Sequence, residues 1–260
     1  MSYKIYVVFH KYLLDNCYKK DAEFNINNYV FFKCNELFPA KYNESFGYNV
    51  KYEKNCEIYN PKLQDLKKPY MAVSALYHIY KNKIYESLDY IGFMEYDLSL
   101  EPDPVLIKKN PNIESIQKLK HVSSMTRLIE NTIEENKELI IILSGRHRFK
   151  SFFEENTIIN GENLFFKIVN EYNAHFNTNH SVQELLDENP VLGDQQSFLA
   201  DKKTFEKIMG FMTTIIEEKK AEHKGLRPSF LLARYFGVTI HLMNVTTKLI
   251  SLKHLNKHEW

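Results

Sequence analysis

The sequence predicts an α/β protein in which helices pack on a β-sheet. The first indication is residues 4–9, where β-forming residues follow one another almost at the start of the chain. The second is residues 69–81, whose apolar residues recur at helical spacing and lead into another buried-strand pattern at residues 90–97. Strands that alternate with helices are typical of a sheet covered by helices. No repeat, low-complexity tract or linker interrupts residues 1–260, so we expect a single domain.

The composition narrows the class of protein. Hydrophobic residues make up 44% of the chain, and Lys plus Arg (34) nearly balance Asp plus Glu (33). A near-neutral chain lacks the basic field typical of nucleic-acid binders. Three cysteines without a CxxC motif favour reduced thiols in the cytosol. No apolar run approaches the ~18–20 residues of a membrane span, and no signal peptide is evident, so we expect a cytoplasmic protein without a transmembrane segment.

The other predicted elements follow from short apolar runs, helical spacing and breaker residues. Further strands are predicted at residues 29–34, 56–59, 139–143, 197–200 and 238–243. Further helices are predicted at residues 114–136, 161–176, 181–188, 203–219 and 227–236, with residues 39–55 as an irregular loop. Pro69 is expected at the first turn of its helix, Ser181 and Glu184 form a capping-box pattern, and Gly237 is expected to end the last helix.

Two carboxylates close the strand predicted at residues 90–97. Glu95 and Asp97 follow its apolar residues, and ligands of open α/β sheets gather at the carboxyl ends of strands. Hard divalent cations prefer such oxygen ligands. The alternative is an ordinary strand end with two solvated acids.

Two further polar clusters could complete such a site. Asp194 directly precedes the strand predicted at residues 197–200, and the tail carries His254, Lys257 and His258. Carboxylate, imidazole and ammonium groups together suit a metal ion that neutralises a diphosphate. Alternatively, Asp194 caps nearby backbone, and the histidines belong to a frayed terminus. The sequence contains no GxSxG, Walker A, GxGxxG or HExxH motif, which disfavours the α/β-hydrolases, P-loop NTPases, dinucleotide-binding enzymes and zinc proteases that use them.

Several segments together resemble a known family. They read VVFHK, PYMAVSALYHIYKN, YIGFMEYD, DQQSFLADKKTFEKI and RPSFLLARYFGV. They resemble glycosyltransferase-like proteins of the capsular-polysaccharide type and GT-A glycosyltransferases of large DNA viruses, over residues 4–12, 69–98 and 190–258. The resemblance implies a GT-A-like fold, with a mixed, mostly parallel sheet flanked by helices. It also implies a nucleotide-sugar-binding half at about residues 1–100 and an acceptor half with a metal-binding tail at about residues 101–260.

The motif after the central strand departs from the bacterial pattern. Those proteins tend to carry HYRR where this chain has Met94 to Asp97, which is more similar to an acidic DxD motif with Glu95 in place of the first Asp. Asp97 is therefore the expected metal ligand, and Glu95 is expected to contact the ribose or support the ligands. The Gly193-Asp194-Gln195 segment is similar to the GDQ segment of glycogenin-like retaining enzymes, where the Asp lies beside the donor sugar.

The resemblance implies roles for individual residues. Asp194 is the expected catalytic carboxylate, and Asp97 and His254 are expected to hold Mn²⁺ or Mg²⁺. The choice of His254 over His258 stays open. Lys257 is expected to stabilise the leaving group. The remaining nucleotide-sugar contacts are expected from Phe9, His10, Tyr12, Tyr70, Ser74, Glu95 and Tyr96.

The function expected from this resemblance is transfer of a sugar from a UDP- or GDP-sugar to a glycan or another hydroxyl acceptor, by a metal-dependent hexosyltransferase-like enzyme. The GDQ likeness favours retention, but the sequence leaves retention and inversion open, as it does the base, sugar, acceptor and oligomeric state. One alternative is a non-catalytic nucleotide-sugar- or glycan-binding module of the same fold. Another is a sugar phosphotransferase that uses the same carboxylate–metal chemistry.

Overall fold

A seven-stranded sheet forms the centre of the protein. The structure is a computed structural model that describes residues 1–35, 38–64, 70–109, 123–144, 147–155, 158–192, 197–218, 220 and 226–255. The strands are β1 (Tyr3–Phe9), β2 (Tyr29–Lys33), β3 (Val50–Tyr52), β4 (Tyr90–Glu95), β5 (Leu98–Pro102), β6 (Leu139–Ile142), β7 (His147–Arg148), β8 (Ile158–Ile159), β9 (Glu162–Asn163), β10 (Val191–Leu192), β11 (Phe198–Asp201), β12 (Thr246–Leu249) and β13 (Leu252–His254). The helices are α1 (Ala72–Lys81), α2 (Pro104–Lys109), α3 (Met125–Glu135), α4 (Phe149–Glu154), α5 (Leu164–Phe176), α6 (Val182–Glu188), α7 (Lys202–Glu217) and α8 (Pro228–Leu242).

The central sheet is mixed and mostly parallel, as predicted. Its order is β3-β2-β1-β4-β11-β6-β12. Strand β11 is antiparallel to both of its neighbours, β4 and β6, whereas the other pairings in this sheet are parallel. Consequently β1, β2, β4 and β6 all end at one edge of the sheet, where β11 begins. We call this the carboxyl edge.

Both faces of the sheet are covered. On one face Phe93 stacks on Tyr6 and Phe198 with ring centroids 5.6 and 5.8 Å away, and helices α1, α5, α7 and α8 complete this core. On the other face Val7 and Met94 belong to a second core that includes α3 and β5. Strands buried on both faces read as continuous apolar runs, which is why they were predictable from the sequence.

Gly92 permits close packing in the middle of the sheet. A Cβ atom at this position would lie 2.9 Å from Ile5 Cγ1 and 3.3 Å from Leu199 Cδ1. Any larger residue would push β4 away from its neighbours. The close fit of β1 and β4 fixes how their carboxyl ends stand relative to each other.

The first two helices predicted from the sequence differ in extent from those observed, as does the helix predicted at residues 161–176, which begins at Leu164. The helix predicted at residues 69–81 begins at Ala72, and Pro69 lies outside the described residues. The helix predicted at 114–136 is described as Met125–Glu135, with the Ser124 hydroxyl accepting from the Arg127 N–H, and residues 114–122 lie outside the description. The capping box of Ser181 and Glu184 is confirmed at the start of α6.

The strand predicted at residues 56–59 was wrong. The side chain of Asn82 binds both backbone groups of Ile58, accepting from its N–H at 2.8 Å and donating to its carbonyl at 2.9 Å. These groups are therefore satisfied without a strand partner. The parallel strand β3 lies instead within residues 39–55, which were predicted to be an irregular loop.

The end of the last helix was also predicted wrongly. Helix α8 continues through Gly237 to Leu242, so the strand predicted at 238–243 is helical. A short apolar run buried on several sides fits a strand or a buried helix equally well. Burial of Val238 and Ile240 offsets the ~1 kcal/mol cost of a glycine inside a helix. The last strand of the central sheet is β12.

Candidate active site

The carboxyl edge contains a cavity of about 170 Å³. It is lined by Val8, Phe9, His10, Cys34, Asn35, Met71, Ala72, Glu95, Tyr96 and Asp97. These residues end or follow β1, β2 and β4, or lie at the start of α1, so the parallel arrangement of three strands builds the cavity. Five predicted site residues thus lie together, although the sequence places them on two distant segments.

The Asp97 carboxylate faces the imidazole of His254 across a gap. His254 Nδ1 lies 3.8 Å from Asp97 Oδ2, which is too long for a hydrogen bond. Asp97 Oδ1 is buried and has no hydrogen-bond partner among the described residues. A buried carboxylate oxygen without a partner is costly, so this site favours a ligand that can satisfy it.

The two atoms of this pair are close enough for one divalent cation to reach both. Metal–ligand distances of about 2.0–2.2 Å allow one ion to contact two atoms 3.8 Å apart. Among the described residues no group of three or more His, Cys, Asp or Glu side chains could hold a metal. Two protein ligands are sufficient for Mg²⁺-type ions that are also bound by water and substrate phosphates.

Strand pairing brings His254 to Asp97. In the antiparallel pair of β13 and β5, His254 stands opposite Leu98, the residue after Asp97. The Leu255 N–H donates to the Asp97 carbonyl at 2.9 Å, and His254 Nε2 lies 3.2 Å from Ser144 Oγ. His258, the other candidate from the tail, lies outside the described residues.

His10 packs against Tyr96, in the turn that follows β4. Its ring makes an edge contact with Tyr96, with centroids 5.1 Å apart. Burial lowers the pKa of His10, the charge of Lys33 lowers it further, and Asp97 opposes both effects more weakly. The lowered pKa favours the neutral imidazole at pH 7.

The Lys33 ammonium lies between this cavity and a larger one. Lys33 is buried at the end of β2, and its Nζ donates to the carbonyls of Cys34, at 2.8 Å, and Asn35. Cys34 and Asn35 line the small cavity, whereas Lys33 lines the neighbouring cavity of about 780 Å³. The larger cavity is also lined by Phe38, Pro39, Ala40, Lys41, Tyr42, Glu44, Tyr52 and Lys54.

Tyr12 lines neither cavity, but it lies beside Lys41, which lines the larger one. It forms a parallel bridge with Lys41, and the ammonium of Lys11 lies 4.8 Å from the centre of its ring. A hydrogen bond from Lys11 lowers the pKa of Tyr12, and the charges of Lys11 and Lys41 lower it further. The lowered pKa of Tyr12 therefore reflects the two lysines beside it, whereas the lowered pKa of His10 mainly reflects burial.

The structure does not bring Tyr70 and Ser74 to the small cavity. Tyr70 is buried. Ser74 is buried in the first turn of α1, where its hydroxyl donates to the Met71 carbonyl and accepts from Gln64, both at 2.8 Å. Gln64 in turn donates to Glu53, so Ser74 belongs to a polar network behind the cavity.

Two predicted residues lie outside the described residues. They are the proposed catalytic Asp194 and the proposed leaving-group residue Lys257. Ser197, at the start of β11, is described, and its hydroxyl accepts from the Glu95 N–H at 3.2 Å. The roles of Asp194 and Lys257 stay predictions.

Sequence reasoning missed Ser144, Lys33 and Met71. Ser144 ends an apolar run and Lys33 lies inside one, so each carried a visible signal of a strand end. Met71 carried none: its φ of 51° is rare for a residue other than Gly, Asn or Asp, and it depends on the tertiary fold. A strained backbone beside a cavity is typical of functional sites.

Comparison with known proteins supports the fold. No protein-family model and no curated protein matches the chain. Among solved structures, it is similar to the apo form of WbbM, a bifunctional glycosyltransferase, with a TM-score of 0.58 and 13% sequence identity. The match covers 99% of this chain and 46% of WbbM, so the chain spans less than half the length of that protein. No helix in the described parts of the chain is both long and apolar enough to cross a membrane. The chain therefore shares its mixed α/β fold with part of this glycosyltransferase, which agrees with the GT-A-like fold expected from the sequence.

Proposed function

We propose that the protein is a divalent-metal-dependent glycosyltransferase that uses a nucleoside-diphosphate sugar as donor. The observation that carries the proposal is the Asp97–His254 pair, held 3.8 Å apart beside a cavity, with the other Asp97 oxygen buried and without a described partner. In a glycosyltransferase-like fold, this arrangement matches the need for a cation beside the donor diphosphate.

Asp97 and His254 would hold the Mn²⁺ or Mg²⁺ ion. When bound, this ion supplies Lewis-acid stabilisation of the negative charge on the departing diphosphate. Lys11, Lys33 and Lys41 place positive charges near the same edge, close to His10 and Tyr12. A positive edge favours binding of an anionic donor before any chemistry takes place.

The protein groups around the cavity would bind the nucleoside. The small cavity is below the ~300–1,000 Å³ of a typical ligand site, whereas the adjoining 780 Å³ cavity is within that range. We infer that the donor extends from Phe9 and His10 toward Tyr12 and the larger cavity. Glu95 would contact the ribose, and Tyr96 supports His10 through their edge contact.

Asp194 and Lys257 complete the proposal from the sequence. Asp194 would orient the donor sugar or act near the anomeric carbon, where a carboxylate stabilises oxocarbenium character. Lys257 would support the leaving diphosphate. The acceptor would be a glycan or another hydroxyl compound, and retention is the outcome that the GDQ segment favours.

A thermal-shift screen tests the proposal. UDP, GDP and their sugar conjugates are added with and without Mn²⁺, since a ligand that binds only the folded protein raises Tm. We expect a Mn²⁺-dependent rise in Tm for one nucleotide series and slow hydrolysis of the matching nucleotide sugar. His254→Gln should lose the Mn²⁺-dependent rise in Tm, whereas the matched His258→Gln variant should keep this rise.

Other results would identify the alternatives. A Tm shift without any turnover would favour a non-catalytic binding module. Phosphate transfer to a sugar would identify a phosphotransferase. Absence of a Mn²⁺-dependent shift for every nucleotide would overturn the metal-dependent proposal.

A further inference from the structure

We propose that Ser144 is a positioning residue that sets the orientation of the His254 ring for metal binding. This inference rests on the proposed function, because it concerns the same metal site. Ser144 stands two residues after the end of β6, at the carboxyl edge, and is fully buried at 0% exposure. Its Oγ lies 3.2 Å from His254 Nε2.

The two ring nitrogens of His254 face different partners. Nε2 faces Ser144, and Nδ1 faces Asp97 Oδ2 at 3.8 Å. A metal bound at Nδ1 needs the lone pair of that nitrogen, so the ring proton must reside on Nε2. Nε2–H then donates to Ser144 Oγ. By accepting this proton, the serine holds the ring flip in which Nδ1 faces Asp97 and supports the tautomer that leaves the Nδ1 lone pair open to a metal.

Backbone hydrogen bonds fix His254 independently of its ring. The Leu252 N–H donates to the Leu143 carbonyl at 2.8 Å, and the Leu255 N–H donates to the Asp97 carbonyl at 2.9 Å. These bonds hold the chain on both sides of His254. Loss of the Ser144 hydroxyl should therefore release the ring without releasing the strand.

The Ser144–His254–Asp97 order resembles that of a hydrolytic triad, but the geometry opposes this role. Ser144 has no exposed surface from which to attack a substrate. The 3.8 Å separation of His254 Nδ1 and Asp97 Oδ2 is too long for the hydrogen bond that orients a catalytic base. An acceptor for a metal-binding histidine fits both observations.

The test compares Mn²⁺ affinity among variants. Mn²⁺ is titrated into protein saturated with UDP or GDP, whichever gives the larger thermal shift, and free Mn²⁺ is followed by electron paramagnetic resonance. Ser144→Ala should weaken Mn²⁺ binding by about 10–100-fold, the usual effect of removing such a partner. Ser144→Thr restores a hydroxyl and should recover most of the affinity. Nucleotide affinity without metal should stay unchanged in both, which reports an intact cavity.

Ser124→Ala is the matched control. It also removes a buried serine hydroxyl, which donates to Asp21 Oδ1 at 2.7 Å in a different part of the protein. This variant should lose stability but keep the wild-type affinity for Mn²⁺. Wild-type Mn²⁺ affinity in Ser144→Ala would overturn the role of Ser144 and leave the proposed metal site standing. An equal loss of Mn²⁺ affinity in Ser144→Ala and Ser124→Ala would do the same. Absence of Mn²⁺ binding by the wild-type protein would instead overturn the proposed metal site and this inference together.

Discussion

Two acid–imidazole pairs lie near the carboxyl edge. In one pair the carboxylate and the imidazole are in hydrogen-bond contact, and in the other a gap separates them. Glu53 Oε1 and His78 Nδ1 are 2.5 Å apart, and both side chains have 0% exposure. Asp97 Oδ2 and His254 Nδ1 are 3.8 Å apart, with 19% and 10% of their side chains exposed. Both acids closely follow parallel strands, Glu53 after β3 and Asp97 after β4. Similar residues at similar places thus form two different kinds of contact.

The difference lies in the remaining partners. His78 Nε2 accepts from the Asn60 N–H at 2.8 Å, so Nδ1 carries the proton and donates to Glu53, whose second oxygen accepts from Gln64. The first pair is therefore complete within the protein. Asp97 Oδ1 has no partner among the described residues. We conclude that the first pair stabilises the fold and that the second is open to a ligand.

The largest effect is expected for Asp97→Asn. This change removes the charge that would hold the cation, and we expect metal-dependent sugar transfer to fall by at least about 100-fold. Tm without ligand should not fall, because the carboxylate lacks a partner for one oxygen. Steady-state assays with and without Mn²⁺, together with thermal unfolding, measure both quantities. Full activity in Asp97→Asn would contradict the proposal that this pair, unlike the pair of Glu53 and His78, binds a ligand.

Glu53→Ala should lower the stability of the protein, whereas Asp97→Asn should lower its activity. Removing one member of a buried pair leaves the other polar group unsatisfied, and we expect the free energy of unfolding to fall by about 3 kcal/mol. Urea denaturation measures this loss, with Asp97→Ala as the matched variant from the open pair. A loss of similar size in Asp97→Ala would show that both pairs are structural.

The smallest effect concerns His10 and pH. Burial and Lys33 hold the folded-state pKa of His10 below the unfolded value of about 6.5. The stability that neutral His10 contributes is complete above about pH 6.5 and is lost as the pH falls through the folded pKa. His10→Gln should therefore flatten the acid limb of the stability curve, by less than the effect of Glu53→Ala. Parallel urea midpoints at pH 7.5 and 5 measure it, and an identical acid loss in the variant would contradict the assignment.

Much of the fold could be predicted because buried strands and capped helices leave local signals. The apolar runs of β1, β4 and β6 and the capping box at Ser181 were readable. The helical end of α8 was not, because β-branched residues fit either structure when burial decides. Ile58 was misassigned because its partner is a side chain distant in the sequence, Asn82.

Only part of the candidate active site could be predicted from the sequence. The carboxylates Glu95 and Asp97 stand at a recognisable strand end, whereas their relation to His254 depends on the register of β13 against β5. Register is set by tertiary packing and leaves no local pattern. For the same reason the sequence could not show that Ser74 faces a buried network while His10 faces the cavity.

We propose that Asp97 and His254, the pair separated by 3.8 Å, bind a divalent cation beside a nucleotide. Mn²⁺ titration of the nucleotide-saturated protein tests it most directly, with Asp97→Asn and Glu53→Gln studied in parallel below their unfolding temperatures. We expect one Mn²⁺ per chain in the wild-type protein and in Glu53→Gln, and none in Asp97→Asn. Equal Mn²⁺ binding by wild type and Asp97→Asn would contradict it.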